Sequence, residues 1–365
     1  MNGAEEMRPT GKQKLPVAGA KLLPAAALLA ALFFLSGCYV TTQGLYLLHY
    51  NKGAQKISRL LDREDLDQET RAFLKEAVRI KEFAVEEIGL KKNRNYTTYV
   101  ELDKSYLVDV VTASKDDSFT PCIWDFPIVG EVPYKGFYRR KDAEKLAAEL
   151  RKKNYDVWIR KVDTFSTLGF FTDPIYSYMM DYSVFRLADL LIHEQTHATI
   201  FLKDEVQFNE ELANFVGTEG AFAYITERQG GAEDLREQIA AARKDRDRFY
   251  ALMRELYTRL DGIYTSNTMD RSEKLEKKEE IIREFTADLK KNYDAYFQTG
   301  GYRHIAEREI NNAFILSWKR YSQDLSLFYD VYEAYGGDLK RFMEVILPVE
   351  EWDGDPKEYL RVLVE

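Results

Sequence analysis

The apolar and polar positions change rhythm along the chain. Residues 43–61 carry Leu45, Leu48, Ile57 and Leu61 at helical spacing, and residues 66–89 repeat the pattern through Phe73, Ala77, Ile80 and Ala84. Two helices are expected there. Residues 96–102, 106–113 and 122–129 are short runs of β-branched and aromatic residues bounded by polar or turn residues, and they predict strands. Residues 133–136 predict a turn, 141–153 a helix, and 155–162 and 165–171 two more strands. A sheet of about four or five strands follows from these runs. From residue 178 onward the pattern is almost entirely helical. Residues 232–264 and 271–296 alternate charge with apolar positions, separated by the loop 265–268. Residues 307–335 predict one further long helix, ended by Gly336-Gly337. The expected fold class is α+β, mainly helical: a small sheet followed by helices.

Composition narrows the function. Hydrophobic residues make up 45% of the 365 and charged residues 31%, a globular balance. The net charge of -9 argues against a nucleic-acid binder, which needs a basic footprint. Two cysteines exclude a disulfide framework or a Cys-rich zinc module. Only four histidines are present, so their placement is informative.

The first residues read as an address. Arg8, Lys12, Lys14 and Lys21 precede an apolar run from Leu22 to Leu35, too short to span a bilayer. Leu35-Ser36-Gly37-Cys38 then resembles the bacterial lipobox. The resemblance implies that 1–37 is a signal peptide, cleaved before Cys38, and that Cys38 is lipidated. That leader holds four basic and two acidic residues, so its loss takes the charge from -9 to -11. Such a body is expected to stand off an anionic membrane, held by its acyl chains. Tyr39, in place of Asp, implies outer-membrane sorting, facing the periplasm or the cell surface. Cys122 then lacks an intramolecular partner and reads as an inert core thiol.

The chemistry lies at His193-Glu194-Gln195-Thr196-His197. The preceding residues 183–192 contain no Pro or Gly, so the motif sits on a helix. His193 and His197 then share one face, one turn apart, and both can reach one Zn²⁺. Glu194 projects off the metal, where it can take a proton from an activated water. Ile200 and Lys203 stand where a metzincin would have Gly and His, which excludes that class. The third ligand is therefore sought among carboxylates, with Glu210 and Glu211 both available. Asp204 and Gln207 look like a capping box, so a second helix would start near Glu205 and the first would end near Leu202. In that hairpin His197 and Glu210 lie at about the same height.

The stretch Asn209-Glu210-Glu211-Leu212-Ala213-Asn214-Phe215-Val216-Gly217 resembles the third-ligand helix of thermolysin-like and related zinc peptidases. The resemblance places the ligand on Glu210. It also implies that Asn214, where the pattern has Asp, orients a ligand imidazole. The lipobox, residues 165–171, the His193–His197 motif, residues 209–217 and Asn311-Asn312-Ala313 together resemble a bacterial family of zinc aminopeptidase lipoproteins predicted from sequence. The resemblance implies a zincin-like metallopeptidase. The Gly-x-Met-Glu-Asn strand that anchors the substrate amine in large zinc aminopeptidases is missing.

Zincins hold substrate against a sheet edge, which implies Ser166, Thr167, Leu168 and Gly169 as the peptide-binding backbone. Tyr321 is the expected oxyanion donor, with Tyr302 and His304 as rivals. The division expected is 1–37 leader, 38–92 helical segment, 93–177 sheet region, 178–230 zinc-site helix pair and 231–365 helical region. The expected partners are a peptide substrate and, through Cys38, a membrane. Two other functions stay open: a non-catalytic envelope lipoprotein with a structural or vestigial zinc site, and a hydrolase of a non-peptide envelope substrate.

Overall fold

A computed structural model describes residues 37–126, 130–163, 173–229, 233–320 and 324–365. Leader residues 1–36, the 165–171 strand with Ser166, Thr167, Leu168 and Gly169, and the oxyanion candidate Tyr321 lie outside the described residues.

The described residues open with α1 (Gly37–Asn51), β1 (Gln55–Lys56), α2 (Ile57–Leu61) and α3 (Gln68–Glu86). The single helix expected over 43–61 is thus broken. Gln55 and Lys56 pair antiparallel with Tyr99 and Thr98 of β2 (Thr98–Val100), and this long-range ladder overrides the local pattern. Helix α3 starts where Asp67 accepts a hydrogen bond from the Thr70 amide. It ends before Gly89, which takes a left-handed φ of 81°.

The middle of the chain holds β3 (Val108–Lys115), β4 (Trp124–Phe126), β5 (Gly130–Val132), β6 (Lys135–Phe137), α4 (Arg140–Arg151), β7 (Tyr155–Val162) and β8 (Ile175–Tyr176). The strands do not form the one sheet expected. They form an antiparallel β6-β3-β7 sheet, a mixed β1-β2-β8 sheet and a β4-β5 hairpin. Lys135 and Gly136, expected in a turn, are instead paired with Val111 and Val110.

Alternation fixes what each face of β3 and β7 meets. Val111, Ala113 and Val157, with Ile159 at its margin, pack beneath Ala143, Ala147 and Leu150 of α4. Trp158 turns the other way, edge-on to Phe314 at 4.9 Å between ring centroids.

The remainder is helical: α5 (Val184–His197), α6 (Val206–Gln229), α7 (Glu233–Tyr264), α8 (Arg271–Lys291), α9 (Asn312–Arg320), α10 (Ser326–Ala334), α11 (Leu339–Ile346) and α12 (Pro356–Val364). The protein is therefore α+β and mostly helical. The long helix expected over 307–335 is divided into α9 and α10, and it starts late, at Asn312, because Asn311 and Asn312 are committed elsewhere. Asn311 caps the Phe314 amide, while the Asn312 backbone amide donates to Asp156 and its side chain to the Lys115 carbonyl. Gly336 and Gly337 end α10 with positive φ, at the position expected.

One core joins α3, α5, α6, α10, α11 and α12 around Phe215, Phe328 and Phe342. A second, built on Phe249, Leu256 and Phe314, holds α7, α8 and α9 together. Helix α5 lies in the first core with Leu187, Leu191 and Ile192 inward. That burial leaves His193 and His197 toward a different side.

Candidate metal centre

Helix α5 begins at Ser183, whose hydroxyl accepts from the Arg186 amide at 3.2 Å. It ends at His197, not near Leu202. Asp204 is not an N-cap: it takes a left-handed φ of 66° inside the connection, and the Gln207 side chain donates through Nε2 to the Glu211 carboxylate instead. The first carbonyl of α6 is that of Glu205, which accepts from the Asn209 amide. Asn209 braces the connection by bonding both the amide and the carbonyl of Leu202.

Two glycines let α5 and α6 approach closely. A Cβ on Gly217 would lie 2.8 Å from the Asp189 carbonyl oxygen and 3.0 Å from His193 Cβ. A Cβ on Gly220 would lie 2.7 Å from Ile88 and 3.0 Å from Ile192. Any other residue at either position would force its surroundings to shift.

This contact brings His193, His197 and Glu210 together, one donor atom from each lying within 4.8 Å of the others. The two Nε2 atoms are 3.1 Å apart. Glu210 places Oε1 3.4 Å from His197 Nε2 and Oε2 3.8 Å from His193 Nε2. Ligands about 2.0–2.1 Å from a tetrahedral zinc stand roughly 3.3 Å from one another, so the donor set fits that ion in type and spacing. Glu211 points into the core, fully buried, with Lys357 Nζ at 2.8 Å.

The electrostatics suit ligation. Burial, then the neighbouring His197, pushes the His193 pKa down to about 4, so its ring is neutral at physiological pH. Hydrogen bonds to the Asn214 side chain and the Ala213 backbone oppose that shift. Burial acts to raise Glu210, but the His197 hydrogen bond, the attraction of the two imidazoles as they protonate in acid and the Arg160 charge hold it below the usual carboxylate range. Asn214 thus touches the imidazole it was expected to orient.

Two neighbours escaped the sequence reading. Arg160 follows Trp158 on the same face of β7, and its charge acts on Glu210. Strand alternation alone could have placed it opposite α4. Tyr96 is 4% exposed and takes a left-handed φ of 56°. Burial, then the Glu194 charge, holds its phenol protonated as a hydrogen-bond donor. Nothing local in the sequence announces that conformation. The rival candidates Tyr302 and His304 sit elsewhere, with Tyr302 stacked on Phe249 in the second core. An open concavity lined by His49, Tyr50 and Lys104 contains none of the three converging residues.

Among the described residues no helix is long and apolar enough to cross a membrane. No curated protein and no solved structure matched the chain. The family model described as "Putative aminopeptidase" matches residues 39–358, and the chain belongs to that family.

Proposed function

We propose that the protein is a zinc-dependent peptidase of the cell envelope, with aminopeptidase specificity as its family description suggests. The observation that carries this is the convergence of His193, His197 and Glu210 beside Glu194. Those three side chains would hold Zn²⁺. When bound there, the ion supplies Lewis acidity at a scissile carbonyl and acidifies a water molecule. The Glu194 carboxylate accepts the proton of the attacking water and returns it to the leaving amine. Asn214 keeps the His193 ring oriented with its Nε2 toward the centre. Cys38 is the proposed site of lipid attachment, with outer-membrane sorting read from Tyr39.

The test is hydrolysis of a broad peptide library by the zinc-loaded protein, with N-acetylated copies of each peptide alongside. Cleavage is expected for free N-termini and not for blocked ones. Glu194→Gln is expected to keep zinc and to lose hydrolysis by roughly 10²–10⁴-fold. Cleavage of blocked peptides would refute aminopeptidase specificity. Failure of the zinc-loaded wild type on every peptide would sink the peptidase itself.

A further inference from the structure

Cys38 is joined to the body without a linker. It is the second residue of α1, and the next residue, Tyr39, is already fixed. The Tyr39 hydroxyl donates to the Gly136 carbonyl, and its ring packs 5.4 Å from Phe137 and 5.7 Å from Phe126 between centroids. Lys135 Nζ stands 4.0 Å over that ring, and the Arg139 guanidinium lies 5.1 Å over Tyr46 further along α1. Whatever holds Cys38 therefore also fixes the orientation of α1 and the β6–α4 unit.

That unit has a charge unlike the rest of the chain. Residues 135–152 contain seven basic and three acidic residues in a protein of net charge -9. Helix α4 sorts those charges by face. Ala143, Ala147 and Leu150 are buried against the sheet. At 100° per residue the opposite ridge reads Lys141, Lys145, Ala148 and Lys152, all exposed. Nearby carboxylates are partly engaged: Arg139 takes Asp142 at 2.9 Å and Arg140 takes Glu144 at 2.9 Å. Helix energetics do not account for the ridge. Lys141 lies in the first turn, where the dipole disfavours a cation, and Lys141 and Lys145 repel one turn apart.

The ridge and the metal centre lie on opposite sides of the β6-β3-β7 sheet. Val111, Ala113 and Val157 face α4. Trp158 and Arg160 alternate to the other side, where Arg160 acts on Glu210.

We propose that the α4 lysine ridge, with Lys135 beside α1, is a docking surface for an anionic phospholipid bilayer. It seats the α4 side of the sheet on the membrane and turns the metal centre away from it. Charge complementarity and the position of Cys38 select this occupant. The net acidic charge had predicted a body held off the bilayer, but a membrane meets the local ridge before it meets the mean. The surface rests on the lipid-anchor reading for its starting point and is tested independently of it.

The experiment uses the chain from residue 38 with Cys38→Ser, which carries no acyl group and retains every described element beyond Gly37. Co-sedimentation at low salt is measured with phosphatidylcholine vesicles and with mixed phosphatidylglycerol–phosphatidylcholine vesicles. Binding to the mixed vesicles is expected to be about tenfold stronger or more, and to fall steeply with added salt. Changing Lys141, Lys145 and Lys152 together to Glu is expected to abolish that preference, and changing them to Gln to weaken it at least threefold. The same Glu change at exposed Lys277, Lys290 and Lys291 of α8 leaves it intact. Equal binding to both vesicles, unchanged binding by the ridge variants, or displacement by millimolar glycerol phosphate would overturn the proposal. The last result would mean a small-anion site rather than a surface. Mass spectrometry of the native protein reads acylation of Cys38 separately, so failure of the anchor and failure of the surface are distinguishable.

Discussion

The α-carbon of Gly217 faces His193 so closely that a Cβ there would come within 3.0 Å of His193 Cβ and 2.8 Å of the Asp189 carbonyl oxygen. The separation of α5 and α6 is set at this point. It determines whether Glu210, two turns earlier on α6, meets the imidazoles.

Gly217→Ala therefore should act on the metal centre from a distance. The added methyl meets backbone, so the helices must part by a few tenths of an ångström. Zinc affinity is expected to fall by roughly 10–100-fold, the usual effect of disturbing a ligand's support. Stability is expected to fall by about 1–3 kcal/mol. Chelator competition reads the first and thermal unfolding of the metal-free protein reads the second.

Asn214 hydrogen-bonds to His193, at a position where the third-ligand pattern that this helix resembles has Asp. Asn214→Ala should weaken zinc binding by about tenfold or more, while Asn214→Asp should match or exceed the wild type, because a carboxylate favours the ring N–H more strongly. Equal affinities for all three proteins would show that Asn214 does not support the ligand.

The adjacent acids Glu210 and Glu211 should separate cleanly. Glu210→Gln is expected to lose zinc with little change in the stability of the metal-free protein, since this side chain is 42% exposed. Glu211→Gln is expected to keep zinc and to lose stability by roughly 2–4 kcal/mol, because it leaves Lys357 without its buried partner. Zinc content and melting temperature of the two variants give the answer side by side.

Neighbouring acids so alike show what the sequence could and could not carry. The spacing of His193 and His197 is local, and a helix must put them on one face. Glu210 and Glu211 differ by about 100° around α6, and what decides between them is Lys357 of α12, far away in the chain. The same distinction runs through the fold. Strand β7 falls on the residues expected, because its alternation is a local signal. The break after α1 depends on Gln55 and Lys56 finding Tyr99 and Thr98, and the break before α9 depends on Asn312 reaching Asp156. Those are tertiary commitments that no periodicity reveals. The left-handed Asp204 likewise answers to the geometry of the α5–α6 connection, although its residue type suggested a cap.

Asp173 predicts a pH dependence. Burial raises its carboxyl from 3.8 to about 6. The folded chain thus binds this proton more tightly than the unfolded chain does. Its contribution favours folding below about pH 4 and is lost as pH rises through 6. Asp173→Asn should therefore raise stability near neutral pH, by up to about 3 kcal/mol for a shift of roughly two pKa units, and change little near pH 4. Melting curves of both proteins across that range check the sign. A stabilisation that grew toward acid pH would contradict it.

The claim on which the rest depends is that His193, His197 and Glu210 form one zinc centre. Zinc per chain, measured by elemental analysis after equilibrium dialysis, tests it most directly when wild type is compared with His193→Ala, His197→Ala and Glu210→Gln. One equivalent in the wild type, lost in each variant while all four proteins stay folded, is the predicted result. A folded wild type that takes up no zinc, or variants that all retain the full equivalent, would contradict it.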